Sequence, residues 1–175
     1  LPEYGRPLGQ KPLIVTGRHS ARANGALDRV LAQYPGAAVF EEVEENPSAA
    51  TCDRAAALCR SERCDLLVAI GGGSPMDVSK AVAGLALTPG ACADYSSRKR
   101  FTNGALPMIA IPTTSGTGSE VTPYSVLIDH ETGAKRSIRM PCLFPRVALL
   151  DPLLARSMPR SVTAHTGLDA LSQAL

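Results

Sequence analysis

The sequence predicts an α/β fold, a parallel sheet with helices on both faces, and three observations carry that prediction. Short apolar runs rich in β-branched residues alternate with stretches of helical periodicity. The run "LLVAI" at residues 66–70 is apolar on both faces, as a parallel strand buried between helix layers must be. Two of the runs, 66–70 and 108–111, lead directly into loops crowded with glycine and hydroxyl residues.

In chain order, "PLIVT" at 12–16 reads as the first strand. Ser20 then caps a helix in which Leu27, Val30, Leu31 and Tyr34 recur at helical spacing. A second strand follows at 37–40, and after Asn46-Pro47 the alanine-rich stretch 48–60 reads as a second helix. Behind the third strand, 66–70, Ser74 suits the N-cap, Pro75 the first helical position and Asp77 capping-box spacing, so a third helix starts right after the glycines. Residues 108–111 form a fourth strand, "LIDHETGAK" turns through a hairpin at 131–133, and 147–150 is the last strand. Strands separated by helices of this length imply crossovers and parallel pairing. A domain border is expected near Pro159, with 1–159 as the α/β domain and 160–175 as the first helix of a truncated helical, metal-binding one. The chain opens without Met and stops in mid-pattern at "DALSQAL", so it reads as part of a longer protein.

The 175 residues, 45% hydrophobic and 19% charged, suffice for a domain with its own core. Eighteen Lys and Arg against sixteen Asp and Glu give a net charge of +2, too balanced to indicate a nucleic acid or a membrane as partner. The one basic cluster, "SSRKRF" at 96–101, has no interleaved aromatics and reads as a solvated loop. Cys52, Cys59, Cys64, Cys92 and Cys142 are odd in number and lack zinc-knuckle or redox-motif spacing, which fits reduced thiols and a cytoplasmic location. The opening "LPEYGRPLGQK" has no signal-peptide apolar segment, and no apolar run approaches the ~20 residues of a membrane span.

The chemistry is concentrated in the two loops. With no Cβ on Gly71, Gly72 or Gly73, a ligand can approach the backbone closely, and the free amides at a helix N-terminus favour a phosphate. The triplet is not the six-position dinucleotide fingerprint, and alone it is as often a structural turn. The second loop, "IPTTSGTGSEVT" at 111–122, adds hydroxyls that can bond phosphate and ribose; a loop bonded only to itself is the alternative. Two such loops at the carboxyl ends of parallel strands lie where open α/β sheets bind nucleotides, and they support each other.

Together with "LIVTGRHS", "VEENPS", "FPRVALLDP" and "TGLDAL", these loops resemble, in order and over almost the whole chain, the N-terminal part of the iron-containing (group III) alcohol dehydrogenases. The resemblance implies a Rossmann-like nicotinamide-binding domain followed by an all-helical domain that carries most of a divalent-metal site, iron or zinc. It implies hydride transfer between NADP or NAD and a small alcohol or aldehyde whose oxygen the metal polarises, in a homodimer. By position, Gly72, Gly73 and Ser74 match the family's pyrophosphate loop, and Thr113, Thr114 and Thr117 its adenine and phosphate side. Ser119 and Val121 match positions toward the nicotinamide, Asn46 and Lys135 match cofactor contacts, and Asp77 is either a helix cap or a nicotinamide contact. No catalytic side chain is singled out. Glycerol dehydrogenases and dehydroquinate synthases join a similar nucleotide domain to other chemistry, but "GGGSPMD" and "TTSGTGSEVT" favour the alcohol dehydrogenases. The alternative of another class is a nucleotide-binding module without catalysis.

Two stretches set this chain apart. NAD-selective sites commonly place an acidic residue after the first strand to accept the ribose 2′-hydroxyl, whereas here the strand leads into Gly17, Arg18, His19 and Ser20. Gly17 leaves room and the other three offer charge and donors, so NADP is expected to be preferred or both cofactors accepted; the alternative is that Arg18 is simply exposed. Relatives carry an Asp and, four residues later, a His as the first metal ligands on one helix face. This chain has Asp169 and Gln173, and an amide oxygen is a weaker ligand than imidazole. His165, one turn before Asp169, reads as a structural residue, so a loosely held metal is expected, bound mainly through Asp169 and histidines beyond this chain.

Overall fold

The computed structural model describes residues 1–95, 99–129 and 132–175. A short helix α1 (Pro2–Gly5) precedes β1 (Pro12–Gly17), the helices α2 (Ser20–Ala23) and α3 (Ala26–Leu31), β2 (Ala38–Val43) and α4 (Ala49–Ser61). Then come β3 (Leu66–Gly71), α5 (Gly73–Leu85), α6 (Cys92–Tyr95) and β4 (Met108–Pro112). A hairpin of β5 (Tyr124–Ile128) and β6 (Lys135–Arg139) is followed by β7 (Val147–Ala148), α7 (Pro152–Ala155) and α8 (Arg160–Ala174).

The main sheet is parallel, in the order β2-β1-β3-β4-β7. β3 lies at its centre and all of its residues are buried. Alternate side chains of the inner strands feed two cores. Leu13, Val15, Leu67 and Ala69 pack with residues of α4 and α5, among them Cys52, Ala55, Met76 and Val82. Ile14, Leu66, Val68 and Ile70 pack on the opposite face with Ala21 of α2 and with Leu27 and Val30 of α3. Each buried Leu, Ile or Val contributes about 1.5–3 kcal/mol, so the apolar character of these runs both selects the fold and stabilises it. The expected α/β sandwich is borne out. Among the described residues no helix is long and apolar enough to cross a membrane.

The structure differs from the expectation at several ends. The helix expected from Ser20 is two helices, because Gly25 adopts φ 73° and the Asn24 side chain accepts the Ala26 amide at 3.0 Å, a local turn that competes with helical bonding. Ser20 is the first residue of α2 and caps nothing; His19 holds the N-cap position. β2 runs on through Glu41 and Glu42, which an edge strand tolerates because its outer side meets solvent. The last strand is shorter than expected, Val147–Ala148. The expected hairpin forms; Glu131 of its turn lies outside the described residues, and Gly133 takes φ 68°. Of the basic cluster, Ser96, Ser97 and Arg98 lie outside the described residues, while Lys99 and Arg100 are exposed. All five cysteines are free thiols, and burial pushes that of Cys59 up to about 12.

Ser48 caps α4 by accepting the Thr51 amide at 3.2 Å. Glu44 secures the preceding turn, accepting from the Ser48 amide at 2.9 Å and the Thr51 hydroxyl at 2.7 Å. The turn also ties to the hairpin, where the Ile128 amide donates to the Pro47 carbonyl at 2.9 Å. Partial burial pushes the Glu44 carboxyl up, but the bonds from Ser48 and Thr51 outweigh it and hold the group below its usual value. A depressed carboxyl contributes stability above its unfolded value and loses it as pH falls through the folded one. Glu44→Gln is therefore expected to cost about 1 kcal/mol at neutral pH, read from urea midpoints, with the deficit closing as pH falls below the ordinary carboxylate value of 4.5.

Candidate functional site

The central strand ends in a turn that only glycine accommodates easily. Gly71 has φ 147°, and a Cβ there would lie 2.7 Å from the Pro75 ring. The helix then starts at once: Gly72 is the N-cap of α5 and Gly73 its first residue, so Ser74 is not the cap and Pro75 is not at the first position. The expected capping box is absent as well. Asp77 is drawn away from the helix start by stronger partners, the Ser119 hydroxyl at 2.8 Å and the Val126 amide at 3.2 Å. No side chain caps the helix start by a hydrogen bond, so its first amides are left to other partners.

The second loop folds over the first. The Thr113 amide donates to the Gly71 carbonyl at 2.9 Å, which joins the ends of β3 and β4. A Cβ on Gly72 would sit 3.2 Å from Thr114 Oγ1, and one on Gly73 3.6 Å from Thr117 Cγ2. The glycines thus leave a narrow space under threonine side chains.

This space opens into a cleft of about 530 Å³. Its walls include Asn46, Gly73, Ser74, Asp77, Thr117, Ser119 and Lys135, seven of the residues singled out in the sequence as cofactor contacts. Asp169 and Gln173 of α8 line the same cleft. Asn46 adopts φ 52° in the turn that Glu44 secures. Gly72 and Thr114 adjoin the cleft, and Thr113 is buried behind it. Val121 is 61% exposed. Gly17, Arg18, His19 and Ser20 stand apart from the cleft walls, at the carboxyl end of β1 beside β3. A Cβ on Gly17 would meet only the Val43 carbonyl at 3.5 Å, and Arg18, His19 and Ser20 are exposed. Glu41, on the neighbouring β2, is engaged by Arg22 through two bonds of 2.6 Å.

Sequence reasoning missed the most unusual side chain in the site. Lys80 is fully buried; its ammonium donates to Ser119 Oγ at 2.7 Å and to the Tyr124 carbonyl at 2.8 Å, and lies 3.6 Å from Asp77 Oδ1. Burial pushes Asp77 up and Lys80 down, and their mutual attraction opposes both shifts. A signal was present: Lys80 is the one cation of α5, three residues after an acid in an otherwise apolar run.

Asp169 and Gln173 share one face of α8, the amide donating to the carboxylate at 3.0 Å, and both are exposed. Among the described residues no group of three or more His, Cys, Asp or Glu side chains could hold a metal. His165 is exposed on the same helix.

Comparison with known proteins bears on this site. The family model for iron-containing alcohol dehydrogenase matches residues 1–152. The chain is 39% identical over 172 residues to a 4-hydroxybutyrate dehydrogenase of Cupriavidus necator, covering 95% of this chain and 44% of that protein. It is 38% identical to an NADPH-dependent butanol dehydrogenase of Clostridium saccharobutylicum, over 95% of this chain and 45% of the relative. The crystal structure of sulfoacetaldehyde reductase from Bifidobacterium kashiwanohense in complex with NAD+ superposes with a TM-score of 0.88 at 42% identity, covering 95% of this chain and 45% of that one. The chain thus spans less than half the length of the relatives it matches.

One contact sets where α8 meets the second loop. Gly116 has φ 136°, and a Cβ on it would run into the backbone carbonyl of Thr166. Gly116→Ala is expected to cost about 1–3 kcal/mol through backbone strain and to loosen α8. Urea midpoints and faster amide exchange confined to 160–174 are the measurements, and unchanged exchange there would contradict the contact.

Proposed function

From membership of the iron-containing alcohol dehydrogenase family, to which this chain belongs, we propose that it forms the cofactor-binding part of an oxidoreductase. The reaction is hydride transfer between NADP or NAD and a small alcohol or aldehyde, with a divalent metal, iron or zinc, on the oxygen. The observation that carries this reading is the cleft, where the glycine turn, the hydroxyl loop and the Asp169 face of α8 converge. In the same reading, residues 1–159 are the cofactor domain and 160–175 the first helix of a helical, metal-binding domain. Leu168 and Leu171 on α8, 64% and 54% exposed, support it as apolar surface suited to packing against further helices. Assembly as a homodimer rests on the family resemblance, and a cytoplasmic location on the five free thiols.

Each residue has a task in this reading. Gly72 and Gly73 admit the pyrophosphate to the first amides of α5, and Ser74 and Thr117 supply hydroxyl bonds. Thr113 and Thr114 hold the loop over the adenine and phosphate side. Ser119, Val121, Asp77, Asn46 and Lys135 surround the nicotinamide side. A bound nicotinamide would supply the hydride chemistry, and these residues would contribute its orientation. Gly17, Arg18, His19 and Ser20 make room for a 2′-phosphate, a role supported by the engagement of the nearby Glu41 with Arg22.

The nicotinamide cofactor fits this chain, because a Cβ would fill the cradle it needs. Titration followed by fluorescence is expected to give an affinity for NADPH equal to or above that for NADH, and Gly72→Val is expected to remove both with little change in thermal stability. A preference for NADH above about tenfold, or ~1.4 kcal/mol, contradicts the assignment of the β1 end.

The metal fits in part. A bound divalent ion acts as a Lewis acid on the substrate oxygen. Asp169 and Gln173 offer one carboxylate and one amide oxygen, fewer than the three protein ligands of a catalytic zinc site. Chelation of the intact protein is therefore expected to strip metal readily and abolish activity, and added divalent metal to restore it. Metal content and rate fall together in Asp169→Ala, while Gln173→His tightens retention; an Asp169→Ala protein with full metal and rate defeats the assignment. Gln173 also favours a second reading, nucleotide binding without catalysis. Aldehyde-dependent oxidation of the reduced cofactor decides between them.

A further inference from the structure

We propose that Asp77 and Lys80 are positioning residues that commit the Ser119 hydroxyl to accepting, so that it recognises an N–H donor of the ligand, the carboxamide of a nicotinamide. The inference rests on the reading of the cleft as a nicotinamide site.

A lysine with no exposed surface is expensive to bury, and its bonds show what it serves. An ammonium has three donors. Two are used on Ser119 Oγ at 2.7 Å and the Tyr124 carbonyl at 2.8 Å, and the third side of the charge faces Asp77 Oδ1 at ion-pair distance, 3.6 Å. The carboxylate is equally occupied: Oδ1 accepts the Ser119 hydroxyl at 2.8 Å and Oδ2 accepts the Val126 amide at 3.2 Å.

The consequence falls on Ser119. A hydroxyl has one proton and two lone pairs. Its proton is held by Asp77 and one lone pair by Lys80, so a single lone pair remains for anything that enters the cleft. Ordinary serines adapt by rotating the proton; this one is held by a negative charge and a positive charge at once. A phosphate oxygen or a ketone at this position finds no donor. A primary amide does, because its N–H can be accepted, and in a nicotinamide dinucleotide the carboxamide of the ring is the primary amide adjoining the reactive carbon.

The test compares NAD(P)+ with its 3-acetylpyridine analogue, in which a methyl group replaces the amide nitrogen. Affinities are measured by titration calorimetry on the intact protein. The parent cofactor is expected to bind the wild-type protein about tenfold more tightly, one charge-supported hydrogen bond. Ser119→Ala is expected to bring the ratio to about one. Asp77→Asn, whose amide can donate to Ser119 and release the hydroxyl proton, is expected to lower the ratio or reverse it in favour of the ketone. Lys80→Met frees the second lone pair and the hydroxyl's orientation, and is expected to shrink the ratio. A merely structural role weakens both ligands in parallel and leaves the ratio untouched, so unchanged ratios in Ser119→Ala and Asp77→Asn overturn the inference. Equal binding of the two ligands to the wild-type protein overturns it while leaving the cofactor reading standing. Failure of the wild-type protein to bind either ligand defeats both.

Discussion

A buried ammonium holds this site together. Lys80 projects from the middle of α5 and bonds to the second loop at Ser119 and to the hairpin at Tyr124, with Asp77 as its counter-charge. Taking both charges out of water is costly, and an apolar pair of similar volume often serves stability as well or better. What the pair supplies is direction. The Asp77 backbone carbonyl also accepts the Ser125 hydroxyl at 2.6 Å, so α5, the second loop and β5 are joined at five polar contacts within one turn of helix. Apolar packing alone would let the hairpin slide over the helix.

That arrangement depends in turn on the centre of the sheet. β3 is buried on both faces and pairs with β1 and β4 in continuous register, so its carboxyl end is fixed from both sides. Gly71 then reverses the chain in a conformation that a side chain would strain. α5 consequently starts at the sheet edge, and Asp77 and Lys80 face the loop that leaves β4. Moving the helix start by even one residue would rotate both side chains by about 100° and separate them from Ser119.

Much of this was legible in the sequence, for physical reasons that also explain what was not. The strands of the main sheet and α4 follow from apolar runs and an alanine-rich stretch, signals that burial rewards strongly. Gly73, Ser74, Asp77, Thr117 and Ser119, singled out in the sequence, line one cleft because loops after parallel strands share one end of the sheet. The N-cap of α5 was misassigned because Ser74 and Asp77 satisfy a local rule, while Ser119 and Val126, more than forty residues away, offer Asp77 better partners. The break at Asn24-Gly25 was missed because the apolar spacing that marks the helix, Leu27 to Tyr34, lies wholly behind it. Lys80 was passed over because a single lysine on a helix is ordinarily a solvated one; the second loop and the hairpin, absent from any local window, bury it.

The two walls of the cleft are built to different standards. On the α5 side, charge, hydroxyl and backbone are all committed before any ligand arrives, and the desolvation cost has been met in folding. On the α8 side no residue is buried, and the Gln173 amide donates to the Asp169 carboxylate on the cleft face. The α5 wall is thus complete within these residues, whereas α8, with Leu168 and Leu171 exposed, still offers apolar surface for packing. The second loop comes close to α8 at Gly116, where even a Cβ would run into the Thr166 carbonyl, so the backbones themselves set this distance.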